Sequence, residues 1–337
     1  MKSIEWRNGS VRWIDQSKLP LEEIFIQTDD YRILADAIRT LGIRGAPLIG
    51  IAAAYGVALA ALKYSGNDFN AFTSEVQTSI DELSATRPTA VNLFWALQRM
   101  KNILASTTSI QTCKELLTNE AVSIHREDEE MCRKIGEHGA KLIPRQAAIL
   151  THCNTGVLAT GGEGTAQSVI TTAHRSGKSI KVFAGETRPL LQGARLTTWE
   201  LMKAGLDVTL ITDGMSAYLM KQKRITLVIT GADRIAANGD SANKIGTYNL
   251  AVSAKHHGIP FYIAAPSSTI DTSIVSGEQI PVEERNAKEI TEIFGKRLAP
   301  EGVNVYSPAF DITPANLITS IITEKGVYEP PYSFSSK

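Results

Sequence analysis

Hydrophobic and polar positions repeat with two different periods along the chain. At the start, IEWR and SVRWID alternate as strands do and flank Asn8-Gly9, a pair typical of β-hairpins. EIFIQT, after Pro20, predicts a third strand. From residue 31 the apolar positions recur at helical spacing, which predicts helices as far as about residue 143. The first part of the chain is therefore expected to be mainly helical with a small β start.

After Pro144 the pattern changes to short apolar runs separated by helical segments. The runs are AAILTHC, IKVFAGE, DVTLITD, TLVITGAD and FYIAAP. Runs of this kind predict βαβ units and a parallel sheet that is buried on both faces. The sequence therefore predicts an α/β fold with a mainly helical N-terminal domain over residues 1–135 and a parallel-sheet domain over residues 136–337.

Length, charge and cysteine content narrow the functional class. The 337 residues fit about two domains, and 35 basic against 35 acidic residues give a formal net charge of zero. That balance argues against a nucleic-acid partner, because such proteins carry a basic excess. MKSIEWRNGS has no apolar leader segment, and three cysteines without a CxxC pair argue against a disulfide framework or a zinc site. We expect a cytoplasmic protein with no metal site.

One stretch is long and apolar enough to raise the question of a membrane span. Residues 45–62, GAPLIGIAAAYGVALAAL, carry no charge, and a span needs about 20 residues. The stretch consists mostly of alanine and glycine, which gain little from lipid. We therefore expect a buried helix of small residues and no membrane partner.

The carboxyl ends of the predicted strands carry most of the polar chemistry. In open parallel sheets, ligands bind outside these ends. The first strand leads to Thr151, His152 and Cys153, and the fourth leads to Asp233. Four of the five ends are polar, which predicts an active site at this edge of the sheet.

Cys153 has two interpretations. Free cysteines are among the most often buried residues, so packing is the default. At a strand end beside a helix N-terminus, however, a thiolate is stabilised. The following loop, GGEG at residues 161–164, offers backbone amides to a phosphate, although a plain strand-to-helix turn fits it too. Cys113 and Cys132 fall in helical segments and are expected to pack.

Asp233 in VITGAD is either a helix N-cap or an acid in a dry pocket. Asp240 is the competing carboxylate, but Asn238-Gly239-Asp240 resembles a turn, so we favour a structural role for it. Asn243 and Lys244 then supply an amide and a cation, which suit hydroxyls and phosphate.

Two arginines of the helical part lie close to predicted helix starts. Arg44 precedes the buried helix, and Arg87 of TRPT has a similar position. A positive charge at the positive end of a helix dipole is unfavourable unless an anion is present. Each is therefore either a solvated arginine or an anion contact.

Several long stretches resemble the methylthioribose-1-phosphate isomerase family. They run from about residue 40 to 285 and read IRGAPLIGIAAAYG, THCNTG, GETRPLLQGARLT, ITDGMSAYLM and GADRIAANGDSANKIGTYNLAV. The wider superfamily includes regulatory subunits of a translation initiation guanine-nucleotide exchange factor and ribose-1,5-bisphosphate isomerases. The resemblance implies a Rossmann-like C-terminal domain after the helical one, and a homodimer.

The same resemblance places the family's catalytic cysteine on Cys153 and its catalytic aspartate on Asp233. The substrate contacts fall on Arg44, Gly45 and Ala46 of the RGA stretch, Arg87 of TRPT, Gln192 of LLQGAR, Asn243 and Lys244. The implied reaction converts an aldose phosphate, 5-methylthioribose 1-phosphate, into the ketose 5-methylthioribulose 1-phosphate in methionine salvage. It requires no metal or other cofactor.

The chemistry of that reaction suggests roles. A phosphate on C1 blocks spontaneous ring opening, so the protein has to assist opening before hydrogen moves from C2 to C1. We expect Asp233 to act as the acid and Cys153 as the base through a cis-enediol. In the rival hydride shift, Cys153 mainly shapes the site. Arg44, Lys244 and the loop amides are expected to hold the phosphate.

Two other functions stay open from the sequence. One is isomerisation of another pentose 1-phosphate, either 5-deoxyribose 1-phosphate or ribose 1,5-bisphosphate. The other is a non-catalytic regulatory subunit that senses phosphorylated ligands. A pure scaffold has no need of Cys153 and Asp233 together, which favours an enzyme.

Overall fold

The structure is a computed structural model that describes residues 2–88 and 90–334. Two compact units form, namely Met1–Arg133 with Gly156–Gly164, and Lys134–Thr155 with Thr165–Lys337. The first is mainly helical after a small sheet and the second contains a parallel sheet, so the predicted α/β fold class is confirmed. The ranges 1–135 and 136–337 stay a proposal for the domains. Thr89 of the TRPT stretch lies outside the described residues.

A three-stranded antiparallel sheet opens the first unit, as predicted. Its strands are β1 (Ile4–Trp6), β2 (Val11–Ile14) and β3 (Phe25–Thr28), with β2 in the middle. The turn between β1 and β2 needs two residues with positive φ, and Asn8 and Gly9 have φ of 46° and 84°. Asparagine and glycine are the residues that adopt this conformation most readily, which is why the pair marked the hairpin.

Helices make up the rest of the first unit. Asp30 and Asp68 each cap a helix, because their carboxylates accept backbone amides of the first turn. The bounds are α1 (Tyr31–Arg39), α2 (Ala46–Lys63), α3 (Phe69–Ser84), α4 (Val91–Leu104) and α5 (Ile110–Ala140). The last helix ends before residue 143, the predicted end, and its residues from Lys134 onward count with the second unit.

The small-residue helix α2 is a core helix. Its 18 residues have a mean hydropathy of 1.6, which is apolar enough to cross a membrane, yet 78% of them are buried inside the protein. A Cβ on Gly50 would come within 2.6 Å of the Asn92 carbonyl oxygen in α4. The small side chains therefore serve close helix packing, and the expectation of a buried helix is confirmed.

A seven-stranded sheet forms the centre of the second unit. Its strands in spatial order are β16 (Gly326–Tyr328), β15 (Ser320–Thr323), β10 (Phe261–Ala264), β7 (Leu227–Thr230), β4 (Gln146–Thr151), β5 (Ser179–Gly185) and β6 (Asp207–Ile211). All neighbours are parallel except the edge pair β15–β16. From β4 the chain first builds outward through β5 and β6, then returns to the other side of β4 with β7. The point between β4 and β7 is the topological switch point of a Rossmann-like sheet.

Both faces of this sheet are covered. Neighbouring residues of β4 point to opposite sides, since Ile149 and Leu150 belong to separate hydrophobic cores. The helices are α6 (Ala166–Arg175), α7 (Thr198–Lys203), α8 (Ser216–Lys221), α9 (Thr247–His256) and the single turn α10 (Lys288–Thr291). Helix α6 packs in the first of those cores and α9 in the second.

The sequence pattern missed several strands of the second unit. Besides β15 and β16, these form a four-stranded sheet of β11 (Ile270–Asp271), β8 (Arg234–Ala236), β9 (Ser241–Lys244) and β14 (Phe310–Thr313), and a hairpin of β12 (Glu292–Ile293) and β13 (Lys296–Arg297). Strand β9 reads SANK, which has no apolar alternation, so periodicity gives no signal there.

Candidate active site

The segments that carry Cys153 and Asp233 leave neighbouring strands at the switch point. Ile149 of β4 pairs with Leu227 of β7, so the two strands end at the same edge. Beyond them, the glycine at 231 faces residue 155, where an added Cβ would lie 2.8 Å from the Thr155 Cγ2 atom. The close approach requires glycine and holds the two segments side by side.

The backbone of Cys153 has an unusual conformation. Its φ of 60° is in the left-handed region, and its side chain is only partly buried. The Cys153 amide donates to Thr187 Oγ1 at 2.8 Å, and its carbonyl oxygen accepts from Thr197 Oγ1 at 2.6 Å. Cys113 and Cys132 are 0% and 1% exposed, so the prediction that they pack is confirmed.

Asp233 is not a helix N-cap, because strand β8 begins at the next residue. The Asp233 amide donates to the carbonyl oxygen of Ala242 in β9 at 2.9 Å, and its side chain is partly buried. The two-residue separation from the end of β7 leaves the residue at the edge where ligands bind in such sheets. The N-cap interpretation is therefore wrong.

Asp240 has the structural role that its turn indicated. Its carboxylate accepts from Asn238 Nδ2 at 2.8 Å and from the amides of Gly277 and Ala315 at 2.9 and 2.8 Å. Burial disfavours its charge, but these hydrogen bonds outweigh that effect and lower the pKa of Asp240. The group orders the β8–β9 turn and fixes two separate segments, at Gly277 and Ala315, to it.

Asn243 and Lys244 lie at the end of β9. The buried Asn243 donates from Nδ2 to Thr247 Oγ1 at 2.9 Å. The Lys244 ammonium donates to the Ala309 carbonyl oxygen at 2.9 Å and lies 5.0 Å from the ring centre of Phe310. A lysine with a neutral acceptor can take an anion as a further contact, as its three donors allow.

The residue after Lys244 joins this strand to the Cys153 segment. The Ile245 carbonyl oxygen is 2.8 Å from His152 Nε2, and Gly246 approaches the same ring. Cys153 follows His152 directly, so Asn243 and Lys244 belong to the same edge as the cysteine.

Gln192 is a buried residue just before a segment that contacts Cys153. It precedes a π-helical turn, Gly193–Thr197, whose last residue donates to the Cys153 carbonyl oxygen. Its side chain is 5% exposed, and its Oε1 atom accepts no hydrogen bond from residues 2–88 or 90–334. Buried amide oxygens are rarely left without a donor, so this atom suits a hydroxyl of a ligand.

Sequence reasoning gave His152 and Asp213 no role, although both lie at predicted strand ends. His152 Nδ1 is 3.8 Å from Asp213 Oδ1. Burial lowers the pKa of His152, while Asp213 and the Ile245 carbonyl act in the opposite direction. The neutral ring and Asp213 line a cavity of about 20 Å³, which is room for about one water molecule and too small for a sugar phosphate. This cavity is therefore too small to be the substrate pocket.

The remaining predicted contacts lie in the first unit. Arg44, Gly45 and Ala46 form the start of α2, and Gly45 has a φ of 101°. A Cβ on Gly45 would lie 2.4 Å from the Ala159 Cα atom, so the position requires glycine. Arg87 is partly buried between α3 and α4, four residues before α4 begins.

The expectation that the glycine loop binds phosphate is wrong for its first two amides. The Gly161 amide donates to Asp128 Oδ2 at 2.6 Å, and the Gly162 amide also donates to that carboxylate. The glycines serve close packing on α5, because a Cβ on Gly161 would lie 2.5 Å from His125 Cδ2 and one on Gly162 2.8 Å from Cys132 Cβ. An internal carboxylate occupies the anion site.

Within the part of the chain that the structure describes, no cluster of three or more His, Cys, Asp or Glu side chains could hold a metal ion.

Comparison with known proteins identifies the family. The Initiation factor 2 subunit family matches residues 42–330. Methylthioribose-1-phosphate isomerase of Heliobacterium modesticaldum is 57% identical over 98% of this chain and 97% of its own length. That of Geobacter metallireducens is 54% identical over 100% and 98%. The chain belongs to the methylthioribose-1-phosphate isomerase family.

Solved structures of the same fold agree with this family membership. 5-Methylthioribose 1-phosphate isomerase of Pyrococcus horikoshii has a TM-score of 0.94 and 45% identity, covering 98% of this chain and 93% of that one. A protein of A. fulgidus described as translation initiation factor eIF-2B, subunit delta, has a TM-score of 0.90 and 46% identity, with 98% and 97% covered. As a member of the methylthioribose-1-phosphate isomerase family the chain is an isomerase, so the resemblance and the enzyme class predicted from the sequence are confirmed.

Proposed function

We propose that this isomerase converts 5-methylthioribose 1-phosphate into 5-methylthioribulose 1-phosphate, an aldose–ketose isomerisation of methionine salvage. The relatives named above carry this substrate in their names and match nearly the whole chain. The observation that carries the proposal is the adjacency of the Cys153 and Asp233 segments at the switch point, held by the contact of Gly231 with Thr155.

Asp233 acts as the acid in this mechanism. It gives its proton to the ring oxygen, so that the ring of the C1-phosphorylated sugar opens without loss of the phosphate. Its position between β7 and β8 puts it at the edge of the sheet where ligands bind in folds of this kind. The role needs an acid that keeps its proton near neutral pH, as general acids do.

Cys153 acts as the base. It removes the proton from C2 of the opened sugar to give a cis-enediol. The same proton or one from solvent is then added at C1, while the C2 hydroxyl proton returns to Asp233 and leaves the ketone at C2. Its amide and carbonyl are both bonded to buried threonines, so the thiol is presented from a fixed peptide. Proximity and orientation of this kind supply much of the effect of acid–base groups.

Substrate contacts are proposed for the family positions. Arg44 and Lys244 take the phosphate, and Gln192 and Asn243 take hydroxyls, while the remaining proposed contacts are Gly45, Ala46 and Arg87. The amides of Gly161 and Gly162 are left out, since they donate to Asp128. We further propose a cytoplasmic homodimer whose only ligand is the sugar phosphate, with no cofactor, metal, nucleic acid or membrane partner.

A substrate panel tests the function. Purified protein is assayed with 5-methylthioribose 1-phosphate, 5-deoxyribose 1-phosphate and ribose 1,5-bisphosphate. Highest kcat/KM for the first supports the proposal, and preference for either of the others assigns a different pentose phosphate. The A. fulgidus relative with the initiation-factor description gives the second candidate, a regulatory subunit. Absence of turnover on all three sugars favours that candidate.

Two variants test the residue roles. Cys153→Ser and Asp233→Asn are each expected to lower kcat by about 10²-fold or more, the usual scale for acid–base groups. Near-normal turnover in either variant removes that residue from the mechanism. In D₂O, solvent deuterium at C1 supports the enediol, whereas none supports a hydride shift or a shielded proton.

A further inference from the structure

The candidate base and two residues of the segment that contacts it have positive φ. Cys153, Thr187 and Leu191 have φ of 60°, 64° and 59°. Branching at Cβ makes threonine one of the poorer residues for this conformation. Strained backbone persists where the surrounding structure holds it, and it is often found at functional sites. The backbone conformation therefore does not favour threonine at position 187, and the side chain must contribute interactions that compensate for this cost.

The use of the Thr187 side chain is visible in its hydrogen bonds. Its Oγ1 atom accepts from the Cys153 amide at 2.8 Å and lies 3.2 Å from the Gly185 carbonyl oxygen, to which it donates. Thr197 bonds the other end of the same residue, donating from Oγ1 to the Cys153 carbonyl oxygen at 2.6 Å. Both threonines are nearly inaccessible, with 0% and 2% exposure. We call this pair of hydroxyls the threonine clamp.

The clamp is itself fixed by rigid neighbours. The amides of Thr187 and Arg188 donate to the two oxygens of Asp213 at 2.9 and 2.8 Å. A Cβ on Gly193 would lie 1.7 Å from the Gly185 carbonyl oxygen and 2.8 Å from Thr187 Oγ1, so only glycine lets the π-helical turn approach. The turn ends at Thr197, which places the second hydroxyl. Two consecutive segments of GETRPLLQGARLT therefore converge on one peptide.

We propose that Thr187 and Thr197 are positioning residues that hold Cys153 in its left-handed conformation and thereby aim its thiol into the site. The proposal rests on the proposed role of Cys153 in isomerisation. Neither threonine needs to touch the sugar. Because the hydroxyls act on the backbone, a serine preserves the function of each, whereas an isosteric valine removes it.

The test compares Thr187→Ser with Thr187→Val. Valine keeps the shape and the branching but leaves the Cys153 amide without its acceptor, so kcat is expected to fall by about tenfold or more with KM changed less than threefold. Serine is expected to keep kcat within about threefold. Thr198→Val is the matched control, since Thr198 Oγ1 donates to the Ala194 carbonyl oxygen at 2.6 Å.

A second measurement needs no substrate. Cys153 is partly exposed while the other two cysteines are buried, so iodoacetamide should alkylate one thiol per chain, and Cys153→Ser gives the background. The alkylation rate is expected to change in Thr187→Val by at least about threefold and to stay unchanged in Thr187→Ser and Thr198→Val.

Equal turnover and equal alkylation in the valine and serine variants overturn the proposal. If Thr187→Val fails to fold by circular dichroism, Thr197→Val against Thr197→Ser applies the same comparison to the other hydroxyl. If wild-type protein turns over none of the three sugars, the proposed function fails, yet the alkylation series still decides whether the clamp aims the thiol.

Discussion

Asp128 makes the stability of the first unit depend on pH in a predictable way. Its carboxylate is 5% exposed and accepts the amides of Gly161 and Gly162. Burial raises its pKa from 3.8 to about 6, against the effect of these hydrogen bonds. The perturbation we consider is Asp128→Asn, which keeps the size and one acceptor oxygen but cannot ionise.

The magnitude follows from the pKa shift. Between about pH 4 and pH 6 the folded protein holds a proton at Asp128 that the unfolded chain has released. The contribution of this group to the free energy of unfolding therefore falls as pH rises. Each pKa unit corresponds to about 1.36 kcal/mol, so the rise of the Asp128 pKa from 3.8 to about 6 amounts to about 3 kcal/mol. Relative to wild type, Asp128→Asn should gain about 3 kcal/mol between pH 4 and pH 7.5.

The absolute stability of the variant has a second contribution. In the variant, the side-chain NH₂ group of asparagine replaces one carboxylate oxygen and cannot accept the backbone amide that bonded to it. The lost hydrogen bond lowers the free energy of unfolding by about 1–3 kcal/mol at every pH. For this reason the change with pH, and not the value at one pH, is the test. His125 and Glu129 lie near Asp128 and Cys132 contacts it, but all three are present in both proteins, so the difference isolates Asp128.

Urea unfolding followed by tryptophan fluorescence measures the effect. Three of the four tryptophans lie in the first unit, namely Trp6, Trp13 and Trp95. Glu75→Gln, which removes an exposed carboxylate of α3, is the control and should show a flat difference. A difference between Asp128→Asn and wild type that varies by less than about 0.5 kcal/mol over this pH range refutes the reasoning, given the shift expected from burial.

Two further predictions concern backbone positions and a structural carboxylate. Gly45→Ala adds a Cβ 2.4 Å from the Ala159 Cα atom at a φ of 101°, so the free energy of unfolding should fall by about 2–4 kcal/mol. Gly214→Ala, whose added Cβ has no atom within 4 Å, is the control. Equal melting temperatures of the two variants contradict the argument. Asp240→Asn should lose about 1–3 kcal/mol at pH 7. Because the pKa of Asp240 is lowered, that loss should shrink as pH falls below 3.8; a loss that grows in acid excludes this role.

The sequence predicted the elements whose signals are local. Asn8-Gly9 marked the hairpin because the turn needs positive φ at both positions. The five predicted strands were apolar runs between turn residues, and their shared edge followed from parallel pairing. This predicted Cys153 and Asp233 at one edge of the sheet, whereas the direct pairing of β4 with β7 is visible only in the structure.

What the sequence did not predict depends on contacts between distant residues. Strand β9 reads SANK without apolar alternation, and it forms through its pairing with β8 and β14. The roles of Thr187 and Thr197 arise from their bonds to a residue 34 and 44 positions away. Contacts over such separations produce no periodic pattern in the sequence. The sequence also does not indicate that Thr187 has a positive φ.

For the glycine loop the physical rule was correct, but the anion predicted for the Gly161 and Gly162 amides was wrong. Consecutive amides at a strand-to-helix turn do bind an anion, as expected. The anion is the side chain of Asp128, 33 residues earlier in α5, and no local pattern distinguishes it from a phosphate. Under the proposed function the phosphate then depends on side-chain cations. Lys244 fits that task, because its ammonium donates to the neutral Ala309 carbonyl oxygen at 2.9 Å and has further donors for an anion.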